Sequence, residues 1–267
     1  IILRDEGWGN IEEDAVRRDF TINALYYDPL KNEIVDYLDG IQHVKQRRVK
    51  FIGPPAERIK EDPLRMLRAI RFSAKLDKQL SSSMQASIKS SADQIRSVSK
   101  ARLFDEFRKL FLSGTAVNTW NLLSKTSLPR LIWPECDTRN SLIPIGLAST
   151  DSRFKENKPL SPAFVIALLL WPTFDRMRSR SKSEDPESIS KNILKSQNNR
   201  MSIPLRHRDF VSRIWLLQKN LQTQHNKNLN KTPAFRAAYD LLVVRGEADH
   251  SLPKHINFWR NSQKTGL

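Results

Sequence analysis

The sequence contains almost no cysteine: Cys136 is the single one in 267 residues. One thiol cannot form an internal disulfide, so the sequence predicts a protein of a reducing compartment, the cytoplasm. We expect a packed or idle thiol there and not a nucleophile. Long apolar runs are also missing, since residues 164–171 fall far short of the roughly 20 residues that span a membrane. The sequence therefore predicts no membrane contact and a buried helix at that run.

Metal-binding patterns are missing as well. The histidines have no metal-ligand spacing and none is followed by aspartate, which argues against a metal phosphohydrolase site. No Asp-x-Asp pair precedes Arg17, so this sequence pattern for binding two metal ions is missing near the beginning of the chain. The histidines are His43, His207, His225, His250 and His255.

Acidic residues are in the minority, with 29 Asp and Glu against 45 Lys and Arg, which leaves a net charge of +16. Such an excess favours a polyanionic partner, and nucleic acid is the first candidate. The alternative is a generally basic, soluble surface. The apolar content of 39% is enough for a real core, so the chain is not a disordered tail.

The coarse pattern predicts a short sheet followed by helices. Two strands, 21–27 and 33–38, flank a turn rich in Asp, Pro and Asn, and 48–53 offers one more short strand. Further on, helical spacing of apolar residues predicts helices, and a charged, serine-rich stretch at 176–186 predicts a linker. The predicted helices cover residues 83–95, 101–112, 117–123, 162–171, 210–221 and 233–245.

A further helix is predicted to begin at Asp62, as the N-cap, with Pro63 in its first position. Its apolar and basic residues separate at helical spacing, which predicts a core face and a ligand face. The core face comprises Met66, Leu67, Ile70 and Ala74; the ligand face comprises Arg65, Arg68 and Phe72, flanked by Arg71 and Lys75.

Two arginine-rich blocks carry most of the chemistry. The first, Arg17-Arg18-Asp19, stands just before an apolar, aromatic run and supplies cations for phosphates. In the second, Asp62 and Arg65 share one helix face and can present an acceptor and a donor fork to a nucleobase edge. Each block also has an ordinary interpretation: the first as solvated arginines, and Asp62 as a helix cap alone.

Together these blocks resemble the signature blocks of the class II nucleotidyltransferases, the family of bacterial poly(A) polymerases and CCA-adding enzymes. The resemblance implies an α+β fold: the C-terminal remnant of a nucleotidyltransferase head, with short strands, and then a mainly α-helical neck, body and tail. The implied regions are 1–55 for the end of the head, 56–115 for the neck with its base-reading motif, and 116–267 for an RNA-binding body and tail. Where many relatives have Gly-Gly, this chain has Asp39-Gly40.

The resemblance also implies roles for individual residues. Arg17 and Arg18 would contact the triphosphate, Asp19 the ribose hydroxyl, and Asn23 would support the site. Asp62 and Arg65 would select the base of ATP. A third carboxylate beside the catalytic pair would be Glu13, Asp14 or Asp19. The remaining implied nucleotide or primer contacts are Arg68 and Arg71.

The tail interleaves basic and aromatic residues, a composition suited to single-stranded RNA. We expect most of these rings in the core. Arg245 belongs to the same basic set, and Arg102 has an intrahelical pair with Glu106 as its alternative role. The arginines assigned to RNA are Arg102, Arg206, Arg208 and Arg236.

The function that the resemblance implies is template-independent addition of AMP from ATP to single-stranded RNA 3′ ends. In the family, a Gly-Ser element and an Asp-x-Asp pair earlier in the chain bind Mg²⁺, so we expect its main ligands outside this sequence and a partial enzyme that is inactive alone. The Glu-Asp-Pro form of the second block, Leu-Phe-Leu-Ser-Gly at the end of the neck and the basic tail favour poly(A) addition. Two alternatives stay open: a CCA-adding enzyme, and a non-catalytic RNA-binding protein.

Overall fold

The computed structural model describes residues 10–181, 183–223 and 227–264, and the chain divides into two compact units, Ile1–Ser97 and Val98–Leu267. The fold is α+β, as predicted, with two short strands and many helices among the described residues. The elements of the first unit are α1 (Ile11–Arg17), β1 (Leu25–Asp28), β2 (Glu33–Asp36), α2 (Gly40–Lys45), α3 (Pro55–Glu61), α4 (Arg65–Lys75) and α5 (Ser82–Ser91), with 3₁₀ turns at Thr21–Asn23 and Ala92–Ser97.

Helices make up the second unit, where the described residues contain no strand. They are α6 (Lys100–Phe111), α7 (Ala116–Leu123), α8 (Leu128–Ile132), α9 (Leu142–Lys155), α10 (Pro162–Arg180), α11 (Pro186–Asn198), α12 (Leu205–Thr223), α13 (Phe235–Gly246) and α14 (Pro253–Lys264), with a 3₁₀ turn at Lys227–Lys231.

The predicted hairpin is confirmed, with β1 and β2 antiparallel and in register from Leu25↔Asp36 to Asp28↔Glu33. Its turn is closed by the Asp28 carboxylate, which accepts the backbone N–H of Leu30 at 2.9 Å. The first strand is shorter than predicted because Thr21–Asn23 form a 3₁₀ turn. The predicted strand at 48–53 is wrong: among the described residues, this segment makes an isolated bridge between Phe20 and Phe51.

Asp36 ties the hairpin to the start of α2. Its carboxylate accepts the backbone N–H groups of Gly40 and Ile41, both at 2.8 Å. Burial raises the pKa of Asp36, but these backbone hydrogen bonds outweigh it and the pKa is lowered. Asp39 takes the left-handed conformation, φ 58°, just before Gly40. At Gly40 a Cβ would lie 2.5 Å from the Thr21 carbonyl oxygen, so glycine is required there.

The predicted core face of α4 is confirmed, because Met66, Leu67, Ile70 and Ala74 are all buried. The predicted start of the helix is wrong by a few residues. Asp62 follows α3, which the sequence analysis missed, and the connection Asp62–Leu64 precedes the first helical residue, Arg65. The Asp62 carboxylate accepts the N–H of Leu64 at 3.2 Å, so it stabilises the turn that connects α3 to α4.

In the second unit α10 lies deep in the core and passes its predicted end at Trp171. Phe174 is fully buried and stacks on Trp215 with ring centroids 4.8 Å apart. This packing stabilises the part of α10 that follows Pro172. The predicted linker is therefore wrong in its first part, because Arg176 to Arg180 are helical. No helix of the described residues is long and apolar enough to cross a membrane. Burial raises the pKa of Cys136 to about 12, as fits a packed thiol.

Candidate nucleotide site

The two arginine-rich blocks meet at the Asp19 carboxylate. Arg65 Nε donates to Asp19 Oδ1 at 2.6 Å, and Arg68 Nη1 donates to Asp19 Oδ2 at 2.5 Å. Arg65 and Arg68 stand three residues apart on α4, so both guanidinium groups reach the same carboxylate. The fold of the first unit thus brings together residues that lie more than forty positions apart in the sequence.

Arg65 is the most enclosed cation of this cluster, with its side chain 11% exposed. Its Nη1 donates to Glu61 Oε2 at 2.6 Å and to the Arg58 carbonyl oxygen at 2.8 Å. Burial lowers the pKa of Arg65, but the hydrogen bonds to Asp19 and Glu61 outweigh it and the pKa is raised. Burial likewise raises the pKa of Asp19, and the two arginines reverse it to a lowered pKa. The cluster is therefore charged at neutral pH.

Arg58 fixes the first block to α3. Its Nη2 donates to the carbonyl oxygens of Arg17 and Arg18 at 3.1 and 2.8 Å, and its Nη1 donates to Glu61 Oε2 at 2.7 Å. Its position one turn before the second block predicts a place on the same cationic edge as Arg68 and Arg71. The contacts with Arg17 and Arg18 were not predicted, because contacts to backbone carbonyls leave no residue pattern in the sequence.

Arg18 belongs to a second, more exposed cluster with Asp14 and Tyr26. Arg18 Nη2 and the Tyr26 hydroxyl both donate to Asp14 Oδ2, at 2.7 and 2.6 Å. The hydrogen bonds from Tyr26 and Arg18 lower the pKa of Asp14. Arg17 and Asn23 are also exposed, so the predicted phosphate contacts and Asn23 lie on the surface of the unit.

Asp62 and Arg65 turn towards different partners in this conformation. Arg65 is directed at Asp19 and Glu61, whereas Asp62 Oδ2 lies 3.8 Å from Arg68 Nη1. The guanidinium of Arg71 lies over the ring of Phe72, 4.5 Å from its centroid. A shared base edge for Asp62 and Arg65 thus stays a prediction that requires Arg65 to leave Asp19.

The three carboxylates considered for metal binding each have protein partners. Glu13 accepts the backbone N–H of Asn10, in a capping box at the start of α1, and Asp14 and Asp19 are held by arginines. Across the described residues no group of three or more His, Cys, Asp or Glu side chains is placed to hold a metal ion. The described part of the chain therefore offers no three-ligand centre for magnesium.

The arginines assigned to RNA all belong to the second unit. Arg102, Arg206 and Arg236 are exposed, and Arg208 is half-buried in a cavity of about 570 Å³ between α11 and α12. Arg245 is buried instead: its guanidinium lies 4.5 Å from the Trp171 ring centroid and donates to Gln218 Oε1. The prediction that Arg245 belongs to the basic residues available to RNA was therefore wrong. The tail rings are in the core, as expected: Trp215, Phe235, Tyr239 and Trp259.

Three family models match successive stretches of the chain. They are the poly A polymerase head domain over residues 4–50, the probable RNA and SrmB-binding site of polymerase A over 79–139, and the polymerase A arginine-rich C-terminus over 185–266. The first match includes Arg17, Arg18 and Asp19, and the third includes Arg206, Arg208 and Arg236.

Curated relatives separate into two kinds. Poly(A) polymerase I of Haemophilus influenzae is 36% identical over 93% of this chain and 59% of its own length. A CCA-adding enzyme of Lactococcus lactis is 40% identical over only 44% of this chain and 29% of its own. The chain thus spans about three fifths of the first relative.

A solved structure shares the fold at low sequence identity. The crystal structure of Bacillus stearothermophilus CCA-adding enzyme in complex with CTP covers 94% of this chain with a TM-score of 0.63 at 22% identity, and the match covers 58% of that chain. At this identity the likeness shows the fold alone. The three family models and the poly(A) polymerase I relative support the assignment of this chain to the superfamily of poly(A) polymerases and CCA-adding enzymes.

Proposed function

We propose that the protein adds AMP from ATP to the 3′ ends of single-stranded RNA, as a template-independent polynucleotide adenylyltransferase. The observation that carries the proposal is the contact of Asp19 with Arg65 and Arg68, which unites the two blocks in one charged cluster. Poly(A) addition is favoured over CCA addition because the match to a poly(A) polymerase I extends over 93% of the chain, through both units.

In this proposal ATP would replace part of the ion pairing between Asp19 and the arginines Arg65 and Arg68. The ribose hydroxyl would donate to Asp19, and Arg65, released from that carboxylate, would join Asp62 in reading the adenine edge. Arg17 and Arg18 are exposed at the end of α1 and would hold the triphosphate, with Arg68 and Arg71 on phosphate or primer. The base would thus be selected by hydrogen bonds from the protein in place of a template.

Nucleotidyl transfer uses divalent metal ions to stabilise the attacking and leaving oxygens. The carboxylates of the described residues do not fit such a centre, as shown above, and we assign no step to them. In our proposal Mg²⁺ is needed for the whole reaction, while these residues select and orient the nucleotide.

Primer extension tests the proposal. A labelled single-stranded RNA would be incubated with Mg²⁺ and each NTP alone, with the 267-residue chain and with the full product of its gene. We expect long tails with ATP alone from the full product, and loss of ATP use in its Arg65→Met variant. Incorporation of CMP followed by AMP and termination would identify a CCA-adding enzyme instead. RNA binding without any extension would favour the non-catalytic binding protein.

A further inference from the structure

A cavity of about 200 Å³ lies in the second unit, away from every residue assigned a role above except Arg236. It is formed by α9, the segment after α9, and the helices α10, α12 and α13. Its size is below the roughly 300–1,000 Å³ of ordinary small-molecule sites, so it suits one ring system with the remainder of the ligand outside. Side chains important for the argument are Arg153, Leu160, Phe164, Phe210, Arg236 and Asp240; we call the cavity the Asp240 pocket.

The carboxylate of Asp240 forms the polar side of the pocket and is only 16% exposed. Arg236 Nε lies 3.2 Å from Oδ1, while Arg153 Nη1 lies 3.6 Å from Oδ2, beyond hydrogen-bond distance. A carboxylate has about four acceptor positions. Within the described residues, Asp240 therefore keeps acceptor capacity for N–H groups of a ligand.

Burial of the Asp240 carboxylate is also unfavourable for folding. Burial raises the pKa of its carboxyl, and the nearby Arg236 and Arg153 do not bring it back to its ordinary value. An ion pair kept for stability usually lowers the pKa of its acid, as at Asp19. A buried carboxylate that its partners leave undercompensated is typical of a binding site, where a ligand supplies the missing hydrogen bonds.

Arg153 is held in a fixed orientation beside this carboxylate. Its Nε and Nη2 both donate to the Pro159 carbonyl oxygen, at 3.3 and 3.0 Å, which places Nη1 on the side of Asp240. The pocket therefore presents one N–H donor next to two carboxylate acceptors. That order of groups is specific, because only a ligand edge with one acceptor beside two donors can satisfy it.

The remaining walls are mostly apolar and partly aromatic. Phe164 is buried and Phe210 is half-buried, and Leu160 and Ala237 line the cavity beside them. Thr150 and Ser161 add two hydroxyl groups to the lining. Aromatic side chains that line a cavity can stack on the face of a nucleobase. The opening carries Arg236, whose side chain is 60% exposed and can reach a phosphate outside.

We propose that the Asp240 pocket binds the guanine base of one nucleotide of the RNA. The guanine edge places the O6 acceptor beside the N1–H and N2–H donors, which matches Arg153 Nη1 and the two oxygens of Asp240. Adenine, cytosine and uracil each lack two adjacent donors, so they would set an acceptor against the carboxylate. The proposal rests on the proposed function in one respect, that the protein binds RNA.

Atomic substitution in the RNA tests this pocket. A labelled oligoadenylate with one internal guanosine would be compared with the same RNA carrying adenosine or inosine there, by anisotropy titration of the full chain. We expect about tenfold tighter binding of the guanosine RNA than of either other RNA, since inosine lacks the N2 amino group. Asp240→Asn is expected to remove the preference, and Asp93→Asn, an equal loss of charge at an exposed residue with no assigned RNA role, to keep it.

Binding of RNA with no guanosine preference in the wild-type chain would overturn the pocket and leave the proposed function standing. Equal loss of preference in both variants would overturn it too, because the effect would then follow net charge. GMP and IMP would be tested in parallel by saturation-transfer NMR, so that a chain that binds no RNA still tests the pocket. We expect GMP to bind, and Ala237→Leu, which fills the cavity without touching Asp240, to abolish its signal; absence of GMP binding in the wild type overturns the inference.

Discussion

Asp19 is the residue on which the candidate nucleotide site depends, because one carboxylate holds both Arg65 and Arg68. Its side chain is 16% exposed, so solvent screens these ion pairs only in part. In the proposed function the same residue releases Arg65 when a nucleotide binds, so the cluster is the arrangement that the ligand would replace.

The variant Asp19→Asn should destabilise the first unit. In the amide one of the two carboxylate oxygens is replaced by an NH2 donor, so one guanidinium group loses its acceptor and the negative charge between the two arginines is lost. We therefore expect the free energy of unfolding to fall by about 1–3 kcal/mol. Urea unfolding followed by circular dichroism measures it. Asp14→Asn is the matched control, because the pair of Asp14 with Arg18 is half-exposed, and little change is expected there. Equal effects of the two variants would contradict this ranking.

His43 gives the first unit a pH dependence. It is buried, with Nδ1 3.0 Å from the Thr21 hydroxyl, and burial, together with Lys50 and Arg48, lowers its pKa from 6.5. At mildly acidic pH the imidazole of His43 is therefore protonated in the unfolded chain but neutral in the folded unit. The contribution of neutral His43 to stability is complete above pH 6.5 and is lost as the pH falls below it. Melting temperatures measured between neutral and mildly acidic pH should fall less in His43→Asn than in the wild type. Parallel curves of melting temperature against pH for the variant and the wild type would exclude His43 as the cause of the pH dependence.

Among the elements, α7 begins with help from another helix. Thr115 provides no side-chain cap, and the carboxylate of Asp151 on α9 accepts the N–H groups of Ala116 and Val117 at 2.7 and 3.0 Å. These are N–H groups that a helix cannot bond internally. Gly114, with φ 81°, turns the chain just before this junction. The cap therefore joins α7 to α9 as well as starting the helix.

Replacing Asp151 by alanine should cost about 1–2 kcal/mol of stability in the second unit, as for other lost N-terminal caps. Asp105→Ala, an exposed aspartate within α6, is the control and is expected to change stability little. Urea midpoints of the two variants give the comparison. A smaller effect at position 151 than at 105 would show that water replaces the cap.

Prediction from the sequence succeeded for some helices and missed others, including three of twelve or more residues, α9, α11 and α14. The helices α6, α7 and α13 follow clear apolar spacing and were predicted within a few residues. The short helices α2 and α3 offer too few turns for a period to show. In the candidate site, the two arginine-rich blocks could be recognised from their residue types. The contact of Asp19 with Arg65 could not, because it depends on how the chain folds between them. The contacts of Arg58 with Arg17 and Arg18 were not predicted, because their acceptors are backbone carbonyls.

At the scale of the whole molecule, the net charge of +16 predicts strongly salt-dependent RNA binding. Each phosphate neutralised on a single strand contributes about −0.7 to the slope of log K against log salt. We expect Arg206→Ala to make the slope less steep by about this amount. Arg48→Ala removes an exposed arginine that has no assigned RNA role and should leave the slope unchanged. The same titration over a range of salt concentrations measures both, and identical slopes would remove Arg206 from the interface.

The tryptophans are distributed unequally between the two units. Trp120, Trp133, Trp171, Trp215 and Trp259 are all buried and all belong to Val98–Leu267, while Trp8 lies outside the described residues. In the first unit the described residues carry tyrosines, Tyr26, Tyr27 and Tyr37, as intrinsic chromophores. With Trp8 replaced by Phe, tryptophan emission would follow the melting of the helical unit alone, while tyrosine absorbance would be weighted towards the unit that holds Asp19. The chain thus carries its own pair of spectroscopic reporters, which can show whether the two units lose their structure together or one after the other.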